Sequence, residues 1–64
     1  MSERIATKFD FPLYLTTHDY DGEHLLGLNY GQGPVAVYFW FTPEQALALS
    51  DKLKEVAQQL NSSN

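Results

Sequence analysis

A two-layer α+β domain is predicted for this chain: a three-stranded antiparallel β-meander, order 1-2-3, with one C-terminal α-helix packed on one face (βββα). Three observations predict it. From Ile5 to Thr17 apolar and polar residues alternate, the period of a half-buried strand, and Val35–Phe41 is an uncharged apolar and aromatic run of strand length. Two turn-forming clusters, around Asp21-Gly22 and at Gly31-Gln32-Gly33-Pro34, divide that region. From Pro43 the apolar spacing changes to three and four, the period of a helix.

The first strand is expected over about 5–17. Phe9, Phe11, Leu13 and Leu15 fall on one face, while Lys8, Asp10, Pro12, Tyr14 and Thr16 fall on the other. Pro12 has no N–H for a ladder, so it places this strand at an edge or marks a break within it. His18 to His24 reads as a turn, with Asp21-Gly22 at its centre because glycine accepts the positive φ of tight hairpins. The second strand is expected over 24–30, with Leu26, Leu28 and Tyr30 facing one way and Leu25, Gly27 and Asn29 the other. Val35 to Phe41, seven uncharged β-branched, aromatic and alanine residues, forms the third strand. Two tight turns make strands that are neighbours in sequence neighbours in space, which leaves this last strand at an edge.

The helix is expected over about 43–60. Thr42 is a good N-cap, Pro43 suits the first helical position, and Gln45 completes a capping box. Glu44 lies where the helix dipole favours an anion. Ala46, Leu49, Leu53, Val56 and Leu60 make one apolar stripe, with Ala57 alongside and Asp51, Lys52, Lys54, Glu55 and Gln58 off it. A coiled-coil seam has the same spacing, but two heptads are short for one and the sheet needs a cover. Residues 1–4 and 61–64 are expected to fray. The core is assigned to the stripe together with Phe9, Phe11, Leu13, Leu15, Leu26, Leu28, Val35, Val37, Phe39 and Phe41.

The 64 residues allow a single domain, 1–64. A chain of this length hides only about 60% of its unfolded surface, and the usual supplements are disulfides, a metal or self-association. It has no cysteine, which removes disulfides and thiolate zinc, so a homodimer is expected. Eight acidic against four basic side chains give a net charge of −4. Affinity for double-stranded nucleic acid rests on Lys and Arg neutralising phosphates, so that partner is not expected. No apolar run approaches a membrane span, and Met1-Ser2-Glu3-Arg4 lacks the apolar centre of a secretory signal. A cytoplasmic protein without a membrane partner is the expectation.

One helix covers one face of a sheet, leaving Tyr14, Leu25, Gly27, Ala36, Tyr38 and Trp40 on the other. Aromatic rings with polar tips tolerate a wet surface and are enriched at interface centres. They can also pack on each other and on Gly27. The partner surface is therefore assigned to Tyr14, Leu25, Tyr38 and Trp40, with Asp19, Asp21 and Glu23 steering toward a basic protein surface. Val35, Val37 and Phe39 form an edge without Lys, Pro or inward charge to blunt it, and are assigned to strand pairing in a homodimer. Stacking of the Tyr38/Trp40 faces is the second route to one.

Two other functions are weighed. Tyr14, Tyr38 and Trp40 could stack single-stranded bases, although Arg4 and Lys8 are the sole bases near the sheet. His18 and His24, with Asp19 and Asp21, could hold a metal or small ligand across the hairpin, but a full calcium loop is missing and a solvated turn explains the same residues. Gly31-x-Gly33 leads into a strand and reads as a turn. There is no cysteine nucleophile, and the serines (Ser2, Ser50, Ser62 and Ser63) have no histidine nearby in sequence. The expectation is a small acidic, non-catalytic interaction module (an inhibitor, adaptor or regulator), with no cofactor.

Overall fold

Pro12 and Asp10 split what the alternation reads as one strand. The computed structural model describes residues 2–32 and 35–62. It has four strands, β1 (Ser2–Ile5), β2 (Leu13–Tyr20), β3 (Glu23–Gln32) and β4 (Val35–Phe41), followed by α1 (Pro43–Ser62). All neighbours are antiparallel and the order is β1-β2-β3-β4. The class is α+β as expected, with four strands in place of three.

The break between β1 and β2 has a local cause. Asp10 adopts φ 57°, a conformation that side chains other than Asn and Asp seldom take. The Thr7 hydroxyl accepts from Phe11 N at 2.8 Å and donates to Phe11 O at 3.4 Å. Arg4 reaches across to the Asp10 carboxylate at 2.8 Å. Ser2–Ile5 can then fold back along β2, with Ile5 opposite Leu13. These residues are a strand and not a frayed tail, because β2 offered them an unpaired edge. Phe9, assigned to the core by parity, stands on this loop 77% exposed. Phe11 is also off the ladder and rests edge-on against Tyr30, 5.8 Å between centroids.

The hairpin is tighter than the sequence suggests. Asp21 and Gly22 have φ of 50° and 82°, the pair of positive values of a two-residue type I′ turn. Strand pairing therefore runs to the last possible residues, Tyr20 opposite Glu23. The β3–β4 connection at Gly33-Pro34 lies outside the described residues, as do Met1, Ser63 and Asn64 and the side chains of Gln32 and Val35.

Register separates two faces. Leu15, Leu28 and Phe39 line up across β2, β3 and β4, flanked by Leu13–Tyr30–Val37 and Thr17–Leu26–Phe41. The opposite face has the rows Tyr14–Asn29–Tyr38 and Thr16–Gly27–Trp40. The division into an apolar and an aromatic face is as expected. What covers them is not.

The helix was expected to seal the apolar face. Instead, among the described residues no apolar side chain is buried, and Phe39 is 52% exposed. On α1 just Ala46 and Ser50 are partly covered, and every residue from Asp51 to Ser62 is exposed. The cause is the joint. A single residue, Thr42, separates Phe41 from Pro43, where strand-to-helix connections commonly have two to six. Thr42 is held by the capping box: its N–H donates to Gln45 Oε1 at 3.1 Å, and its hydroxyl accepts from Gln45 N at 3.2 Å. Pro43 fixes its own φ near −65°. The helix leaves on a set heading, and the molecule measures 45 × 28 × 17 Å.

Replacing Thr42 with Ala removes one half of that box. Stability should fall by about 0.5–2 kcal/mol, measured by chemical denaturation with helix content followed by circular dichroism.

Candidate functional site

Ladder parity brings Tyr14, Thr16 and His18 of β2 onto the same face as Leu25 and Asn29 of β3 and Tyr38 and Trp40 of β4. Gly27 is central to this surface and is the one buried residue among those described. It lies opposite Trp40 on one side and Thr16 on the other. With no Cβ there, the Thr16 hydroxyl, the Asn29 amide oxygen and the His18 ring close in over the backbone.

A polar network crosses the glycine. Asn29 Nδ2 donates to Thr16 Oγ1 at 3.0 Å, and Thr16 Oγ1 donates to Gly27 O at 3.3 Å. His18 Nε2 lies 2.7 Å from the same hydroxyl. A hydroxyl has one proton. Thr16 can therefore serve Gly27 O with that proton only when His18 Nε2 carries its own. Asn29 Oδ1 is the one buried side-chain nitrogen or oxygen among the described residues without a hydrogen-bond partner.

His18 also meets Trp40, ring centroids 4.4 Å apart at 63°. The imidazole is thus clamped between the network and the indole. Beside this pair a cleft of about 460 Å³ opens, lined by His18, Asp19, Tyr20, Leu25 and Trp40. Its floor is aromatic and aliphatic, and Trp40 and Tyr38 remain 50% and 56% exposed. The arrangement suits an inserted apolar or aromatic side chain, with hydrogen-bonding groups at the edge.

The residues assigned from sequence divide between faces. Tyr14, Leu25, Tyr38 and Trp40 do share one face, and Glu23 joins them opposite Tyr20. Asp19 lies in register with His24, and its carboxylate pairs with His24 Nδ1 on the opposite side of the sheet. Asp21 occupies the turn tip. His18 is in register with Leu25. The two imidazoles consequently leave adjacent ladder positions in opposite directions and are not brought together around one ion. Among the described residues no group of three or more His, Cys, Asp or Glu is arranged to hold a metal. β4 is an edge strand, which puts Val37 and Phe39 on the border as expected; Val35 is placed there by its backbone pairing with Gln32.

Sequence reasoning put Thr16 and Asn29 on this face by parity but left them out of the partner surface, and it read His18 as part of the turn. A usable signal was present. Asp-Gly favours a two-residue loop, and extending β2 to Tyr20 on that basis adds His18 to the parity of Tyr14 and Thr16.

A methyl at Gly27 would stand 2.6 Å from Thr16 Oγ1 and 3.2 Å from both Asn29 Oδ1 and His18 Nε2. Gly27→Ala should cost about 1–3 kcal/mol through overpacking and loss of the network, measured as a lower denaturation midpoint. The near-ultraviolet signal of Trp40 should change with it.

Comparison of the chain with protein-family models, with curated proteins and with solved structures returns no match, so its functional reading rests on this geometry.

Proposed function

We propose that the chain is a non-catalytic protein-interaction module whose aromatic face receives a partner protein. The observation that carries this reading is the half-exposed Trp40 beside a cleft and braced by His18. An anchor whose rotamer is held before binding loses little entropy when the partner arrives. Trp and Tyr are also the residue types that dominate interface energetics. The partner chemistry that fits is an apolar or aromatic side chain in the cleft, with basic residues around it. Glu23 and Asp21 at that end of the sheet, and the net charge of −4, would draw such a surface in.

Single-strand stacking on Tyr14, Tyr38 and Trp40 is the less favoured use of the same face. Arg4 is in register with Tyr14, where it would be needed for phosphate, but its guanidinium is engaged by Asp10 at 2.8 Å. Nothing else basic accompanies the rings in their rows.

Trp40 is the single tryptophan, so its fluorescence reports occupancy of the face directly. A protein retained from the native host on the immobilised wild-type chain should bind Trp40→Ala at least tenfold more weakly when purified and titrated, an anchor loss of about 1.4 kcal/mol or more. Equal affinity for the two chains would rule the aromatic face out. Tight binding of a single-stranded oligonucleotide at low salt would favour the second use.

A further inference from the structure

The protomer shows more surface to water than its mass accounts for. A folded chain of 7.3 kDa exposes about 4,200 Å², whereas this one exposes 5559 Å². Its radius of gyration is 13.9 Å, against about 11 Å for a compact chain of this length. The excess is about 1,400 Å² per chain, and apolar side chains contribute to it. On α1 it includes Leu53, 63% exposed, and Val56, 52% exposed. On the sheet it includes Val37 and Phe39, in the rows of Leu13 and Leu15. Each surface is the kind of cover that the other lacks, and the Thr42 joint holds them apart within one chain.

We propose that a second copy of the chain closes both: in a two-fold dimer, the C-terminal half of each helix lies across the Leu15–Leu28–Phe39 face of the other protomer. The area is right. Removing the excess from two copies buries about 2,800 Å² in total, within the range of obligate homodimers. The charge is right as well. Two chains of −4 repel at long range, but Leu49, Leu53, Val56, Leu28, Val37 and Phe39 carry no charge, and Glu3, which continues the Leu15 row on β1, stands at the border of the face. A reciprocal contact also requires that one chain bear both halves of a complementary pair, as this one does. Pairing of β4 edges through Val35, Val37 and Phe39 would satisfy backbone groups that water can serve, while leaving the helix stripe and the apolar face wet. Stacking of the Trp40 faces would do the same. The dimer uses the side of the sheet away from Trp40 and does not rest on the reading of the partner site.

Molar mass by light scattering on the intact chain should come out at twice 7.3 kDa at micromolar concentration, and the thermal midpoint should rise with protein concentration. Leu53→Glu sets a charge into the contact and should raise the dimer dissociation constant on the order of 100-fold. Gln58→Glu, on the far side of the helix, and Trp40→Ala, on the far face of the sheet, should keep the doubled mass. Should Leu53→Glu fail to fold, Leu53→Ala takes its place, with the wild-type midpoint series deciding on its own. A wild-type chain that stays at one chain mass with a concentration-independent midpoint overturns the proposal, and so does a larger assembly. A dimer that survives the Leu53 changes, or is lost with Trp40→Ala, overturns it too, since the contact would then be the β4 edge or the aromatic face.

Discussion

One residue of connection governs this molecule. Between Phe41, last in the sheet, and Pro43, first in the helix, stands Thr42 alone. Both of its polar groups are committed to Gln45 and its carbonyl to Ala46 N at 2.9 Å. Each of these contacts is individually modest, on the order of 1 kcal/mol. Together with the fixed φ of proline they bind Thr42 into the first turn of the helix, and a one-residue connection leaves little length for the helix to turn back over its own sheet. The exposed stripe, the bare apolar face and the elongated outline are all consequences of that stiffness.

The two faces of the sheet answer to different physics. The apolar face is aliphatic and aromatic across β2, β3 and β4 in its central row, Leu15–Leu28–Phe39, which ends at Glu3 on β1. Its only demand is to be taken out of water, at roughly 25 cal/mol for each Å² covered. The other face is built around an absence, the missing side chain of Gly27, which admits the side chains of Thr16, His18 and Asn29. There hydrogen bonds set position: Thr16 links Asn29, Gly27 and His18, and His18 in turn meets the indole. The first face is suited to association through area, the second to recognition through a held anchor. A small chain with both can assemble and bind without the two tasks competing for the same surface.

The charged groups contribute mostly at the margins. Arg4 with Asp10, His24 with Asp19 and Lys52 with Glu55 are all substantially exposed, and such pairs add little to stability. Arg4–Asp10 is the one with an architectural consequence, since it bridges β1 to the loop that breaks the first strand. The remaining acidic groups set the sign of the surface potential more than the fold.

The chain's own chemistry determined the local structure. Alternation located the sheet and its two faces, Asp21-Gly22 located the hairpin, and Thr42-Pro43-Glu44-Gln45 located the helix start, because each depends on residues within a few positions of one another. The aromatic face was legible for the same reason: parity along a strand needs no knowledge of distant parts. Three matters took their final form in the folded chain, the first and last of them through tertiary structure alone. Ser2–Ile5 became a strand because β2 presented a free edge, which no property of those four residues announces. The hairpin's tightness, which Asp21-Gly22 signals, extended the ladder to carry His18 into the site and sent His24 to the other side. The helix stripe and the apolar face match in period and character, so pattern alone unites them. Whether they can meet within one chain is a question of reach and direction, and a one-residue joint answers it in three dimensions.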